Sequence, residues 1–144
     1  MGFTDELEPE ADAYWSAIVD HPMVRRLGAG TLDTEPFRYW VRQDYRYLVE
    51  YSRLFALGAA KAPSLDRMRT FADLLQSTLN EEMALHRSYA AEFGIDEREL
   101  ERTTPSPTTR GYTDFLLRTA TLGSFGDIVA VLLPCMWGFN ETGL

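Results

Sequence analysis

A chain of 144 residues, 45% of them hydrophobic, is long enough to bury a real core, and one compact domain over residues 1–144 is expected. A net charge of −8 repels nucleic acid and anionic membrane surfaces, which leaves small neutral or cationic molecules as the better partners. The single cysteine, Cys135, excludes an intrachain disulfide and a thiolate metal cluster within these residues, and agrees with a reducing, cytoplasmic setting.

In chain order, the acidic start Met1-Gly2-Phe3-Thr4-Asp5-Glu6 has neither a basic nor an apolar stretch, so no signal peptide is expected. Apolar residues then recur at helical spacing with no alternating strand, which predicts an all-α fold. The first helix covers residues 4–19, with Leu7, Ala11, Tyr14, Trp15 and Ile18 on one side. His21 reads as a turn residue, and Pro22 suits the first turn of a short second helix closed at Gly28-Ala29-Gly30. A third helix starts at Asp33 or Thr34, with Glu35 favourable against its dipole, and runs to about Ala60 before Ala62-Pro63. The fourth runs from Ser64 to Phe93, where Gly94 can turn left-handed. Residues 96–101 form a short turn or surface helix, and Thr103-Thr104-Pro105-Ser106-Pro107 is a linker. The fifth helix covers residues 108–122, and a sixth begins near Phe125 and continues to the end. Residues 128–139 are too few to span a bilayer. They are apolar on every side, so another subunit or further chain must cover them. Further chain is the favoured expectation, giving a bundle incomplete at its C-terminus.

Three features invite chemistry. On the third helix, Phe37, Trp40, Val41, Asp44, Tyr47, Leu48, Tyr51, Leu54, Phe55 and Gly58 make one stripe with an acid in its middle. A carboxylate facing a core needs a partner, either a structural one or a ligand's amino group. Near the end, Pro134 sits inside a helical pattern beside Cys135, where a kink would open space at the sulfur. A buried thiol is usually an inert small hydrophobe; it becomes a nucleophile only where its thiolate is stabilised. Asp44 is the wrong group for that, whereas the Tyr47 hydroxyl can donate to sulfur. Tyr112 shares a face with Phe115, Leu116 and Thr119, which fits core packing or a pocket wall. Glu82 and His86 are spaced i, i+4, but a di-iron bundle needs Glu-x-x-His twice, and no second copy exists. No metal site is expected. Lys61, the only lysine among 14 basic residues, reads as composition rather than function.

Taken together, the chain resembles the TenA/thiaminase II family along nearly its whole length. The matching stretches are His21-Pro22-Met23-Val24 and Phe37-Arg38-Tyr39-Trp40-Val41-Arg42-Gln43-Asp44-Tyr45-Arg46-Tyr47-Leu48. Glu81-Glu82, Leu85-His86 and Tyr89 follow, then Pro107-Thr108 with Tyr112-Thr113, and Leu133-Pro134-Cys135-Met136-Trp137. The resemblance implies a heme-oxygenase-like helical bundle, usually a homotetramer, that binds no heme and needs no cofactor. It implies a hydrolase of aminopyrimidines in thiamine salvage, with Cys135 as nucleophile assisted by Tyr47. Asp44 and Tyr112 would bind the substrate, as would Phe139, which stands where the family usually has a tyrosine. Later helices of family members supply a glutamate acid and a further tyrosine. Two alternatives remain: a pyrimidine-binding module without turnover, and a metal-dependent oxidase on the same scaffold.

Overall fold

The computed structural model describes residues 2–143, and every regular element in it is helical. The chain divides into two compact units, Thr34–Leu132 and Met1–Asp33 with Leu133–Leu144.

The larger unit is organised around α3 (Thr34–Lys61), against which α4 (Leu65–Ser77), α5 (Met83–Glu92), α6 (Glu97–Arg102) and α7 (Pro107–Leu122) all pack. Helix α3 carries Val41, Tyr45, Leu48, Tyr51, Leu54 and Phe55 into the core, and Met83, Ala90, Ile95 and Leu100 meet its first half. Its second half is packed by aromatic edges: Phe55 against Phe71, and Phe71 against Phe125. Gly58 is required there, because a Cβ would lie 2.2 Å from Phe71 Cδ1. The stripe read from the sequence omits Tyr45, which is fully buried yet points its hydroxyl outward, accepting from Arg87 Nη2 at 3.1 Å and donating to Glu101.

The expected helix from Ser64 to Phe93 is helical throughout but not uniformly α. Ser64 caps α4 by accepting from Arg67 N, and residues Thr78–Glu82 then form a π turn before α5 begins. One extra residue in a turn rotates everything downstream by about 100°. Leu79 and Tyr89, which a regular helix would align with Phe71 and Leu75, are therefore exposed, while Thr78, Met83 and Ala90 are buried. Gly94 closes α5 with φ +73°, and Arg38 Nη1 donates to the Phe93 carbonyl at 2.6 Å. Asp96 caps α6, and Ser106 caps α7 with Pro107 at the first position.

Two polar devices tie α7 to α3. Gln43 Oε1 accepts from Ser106 N at 2.8 Å and from Thr109 Oγ1 at 2.9 Å, while Gln43 Nε2 donates to the Thr104 carbonyl. At the far end, Lys61 Nζ donates to the carbonyls of Ala120, Thr121 and Gly123, each at 2.7 Å. The lone lysine thus satisfies the open carbonyl end of α7, a role its composition did not suggest.

In the smaller unit, α1 (Phe3–Val19) is followed by α2 (Pro22–Gly28), whose N-cap is His21, with Nδ1 accepting from Met23 N at 3.2 Å. Helix α8 (Phe125–Gly143) runs through Pro134, and its residues from Leu133 onward belong to this unit. There Trp137 stacks on Trp15 with ring centroids 5.9 Å apart. Among the described residues no helix is long and apolar enough to cross a membrane.

Candidate functional site

Within the larger unit, α3 and α7 build an aromatic wall. Tyr47 stacks on Tyr51 at 5.2 Å, and on Tyr112 at 5.7 Å with the two ring planes only 2° apart. The stack continues to Phe55, which meets Tyr51 edge-on. Tyr112 forms its outer, exposed end. The i, i+4, i+8 spacing of Tyr47, Tyr51 and Phe55 is what a helix needs to line up three rings. Gln43 and Thr109 stand one turn before Tyr47 and Tyr112 respectively, so their hydrogen bond fixes the register in which these two rings meet.

Asp44 lies on the same helix, with its side chain 17% exposed. Burial pushes its carboxyl from 3.8 up to about 6, opposed by the charge of His86 and reinforced by that of Glu82. The nearest ionisable partner is His86 on α5, whose Nδ1 is 3.5 Å from Asp44 Oδ2. The other ring nitrogen, Nε2, is 2.7 Å from the Val41 carbonyl oxygen, one turn before Asp44. A carbonyl can only accept, so Nε2 carries the hydrogen and Nδ1 is the atom offered to the acid.

His86 is the member of this site that the sequence did not connect with Asp44. Its i, i+4 spacing from Glu82 carried no expectation of a metal site, and beyond the π turn its ring meets α3 at the Val41 carbonyl. Among the described residues no group of three or more His, Cys, Asp or Glu side chains is arranged to hold a metal ion.

The other two expected residues belong to the smaller unit. Cys135 is half-buried directly after Pro134, and Phe139 follows one turn later and is exposed. Trp137 between them donates from Nε1 to Glu141 at 3.1 Å. Asp44, Tyr47 and Tyr112 are thus gathered on α3 and α7, and Cys135 and Phe139 on one stretch of α8.

Residues 8–143 match the model of the TENA/THI-4/PQQC family. An aminopyrimidine aminohydrolase of Halalkalibacterium halodurans is 44% identical over 144 residues, 100% of this chain and 64% of that protein. An aminopyrimidine aminohydrolase of Bacillus subtilis is 38% identical over 143 residues, 99% of this chain and 61% of its own length. Among solved structures, a TenA family transcription regulator from Silicibacter superposes with a TM-score of 0.92 at 32% identity, covering 97% of this chain and 62% of that one. The chain therefore spans less than two thirds of the length of the relatives it matches.

Proposed function

The chain belongs to the TENA/THI-4/PQQC family, and on that footing we propose that it serves a thiaminase II-type hydrolase of aminopyrimidines. The substrate would be 4-amino-5-aminomethyl-2-methylpyrimidine, with thiamine itself a further candidate, and the product hydroxymethylpyrimidine. The observation that carries this reading is the 44% identity, across all 144 residues, to an aminohydrolase of that name. A half-sequestered acid and a tyrosine stack on α3 supply what a flat, amino-bearing ring needs for recognition. A regulator role of the kind named for the Silicibacter protein gains nothing from a chain with net charge −8.

In this proposal the Cys135 thiolate adds to the pyrimidine ring and the C–N bond at the 5-methylene carbon breaks, the amine leaving as ammonia from its protonated form. Water then adds at that carbon and gives up a proton to solvent, and the carbon–sulfur bond breaks to return the thiolate. By the resemblance, Tyr47 assists the thiolate, Asp44 accepts from the ring amino group, and Tyr112 and Phe139 serve substrate binding. The working protein is a cytoplasmic homo-oligomer, a tetramer by the resemblance.

The test is turnover by the purified protein, read as ammonia release and as product by chromatography. Cys135→Ser is expected to abolish both while the helical circular dichroism is retained. Undiminished turnover by that variant would remove the thiol mechanism. Calorimetric binding of the pyrimidine with no ammonia from the unaltered protein would favour a binding module instead.

A further inference from the structure

We propose that His86 is a positioning residue for the aminopyrimidine reaction: tethered through Nε2 to the Val41 carbonyl, it offers Nδ1 to Asp44 and sets the orientation and charge of that carboxyl. The inference rests on the function proposed above for its catalytic meaning, but the link between the two side chains stands on geometry alone.

Three observations carry it. Both side chains are largely withdrawn from water, His86 at 11% and Asp44 at 17% exposure, so each feels the other with little screening. The tether acts on the same turn of α3 that carries the acid: Val41 accepts from Nε2 at 2.7 Å, and Asp44 follows three residues later. The imidazole therefore has one orientation and faces the carboxyl at 3.5 Å, ion-pair rather than hydrogen-bond range. Finally, the π turn at Thr78–Glu82 is what turns α5 so that His86 faces α3, and turns of this kind recur at functional sites.

The consequence follows from proton counting. With Nε2 holding a hydrogen, a neutral ring would point its Nδ1 lone pair at an ionised carboxylate, which is repulsive. The pair is comfortable with one shared proton, either as imidazolium and carboxylate or as imidazole and carboxylic acid. A substrate amino group that donates to Asp44 favours the ionised acid. The charged groups acting on Asp44 are His86 and Glu82, both from the segment that follows α4. Burial already holds the carboxyl near 6, and His86 opposes that rise.

His86→Gln tests the idea, because the amide keeps a donor for Val41 and removes the nitrogen that faces Asp44. The titration of the Asp44 carboxyl, followed by carbon NMR with Asp44→Asn for assignment, is expected to move to higher pH in His86→Gln. An unmoved midpoint in a folded variant overturns the proposal. Kinetics supply the second arm: kcat/KM should fall about ten-fold, mainly through KM, and Asp44→Asn/His86→Gln should be no worse than Asp44→Asn alone. Additive losses overturn the proposal, since His86 would then act independently of the acid. If His86→Gln fails to fold, the ring-nitrogen shifts of the unaltered protein decide: a neutral ring with its hydrogen on Nδ1 overturns the tether, and hydrogen on Nε2 supports it. Absence of any turnover in the unaltered protein would sink the hydrolase reading, and the carboxyl titration would still judge His86.

Discussion

Asp44→Asn should make the protein more stable at neutral pH while removing its proposed substrate contact. The folded carboxyl sits near 6 against 3.8 for an ordinary aspartate, chiefly because burial disfavours its charge. The unfolded chain therefore gives up this proton first as pH rises. The associated stability is fully present below about pH 4 and is lost as pH climbs through 6. A displacement from 3.8 to about 6 corresponds to about 3 kcal/mol at neutral pH. An asparagine escapes that penalty but brings an amide whose polar atoms need partners, which takes back about 1–2 kcal/mol. The net gain is about 1–2 kcal/mol at pH 7.5. For a chain of this length the unfolding entropy is about 0.3 kcal/mol/K, so the melting temperature should rise by about 3–7 °C. At pH 4 the gain is nearly gone while the amide's cost remains, so the variant should be less stable than the parent by about 1–2 kcal/mol. Thermal and urea unfolding of both proteins at the two pH values decide the matter. A variant less stable than the parent at pH 7.5, or an advantage equal at both pH values, would show that Asp44 is a satisfied structural acid and refute the reasoning.

Lys61→Met, which keeps the aliphatic stem, should lose about 2 kcal/mol by leaving three carbonyls at the end of α7 without their cation; equal urea midpoints would contradict this. Gly58→Ala gains about 1 kcal/mol of helix propensity but forces a methyl into the Phe71 ring, which Phe55 and Phe125 hold on both sides. The net effect expected in denaturant titration is a loss of about 1–2 kcal/mol. Tyr47→Phe should lower kcat about 10- to 100-fold through loss of a hydrogen bond to a charged group. It should leave the far-ultraviolet circular dichroism of the helices intact; full activity would detach Tyr47 from catalysis.

Much of this was readable from the residues. The long α3, its acid among aromatics and the left-handed turn at Gly94 follow from periodicity and from glycine chemistry, both local properties of the chain. What escaped depended on tertiary geometry. No residue pattern between Ser64 and Phe93 marks the π turn, so a uniform helix read over that span has the wrong register beyond Thr78, and Leu79 and Tyr89 are exposed. His86 was consequently grouped with Glu82 and not with Asp44. Tyr45 was missed because its ring is buried while its hydroxyl reaches two charged partners from other helices. The Lys61 cap joins groups some sixty positions apart, beyond the reach of any window on the sequence.

The Gln43 clamp is also an alignment device. Aromatic attraction alone tolerates many slips and tilts between two tyrosines. An amide that grips a hydroxyl and a backbone N–H at once tolerates few. The near-parallel faces of Tyr47 and Tyr112 thus inherit their precision from polar chemistry one helical turn away. A change at position 43 would detune the platform on which a flat ring could rest, without touching any of the rings that form it.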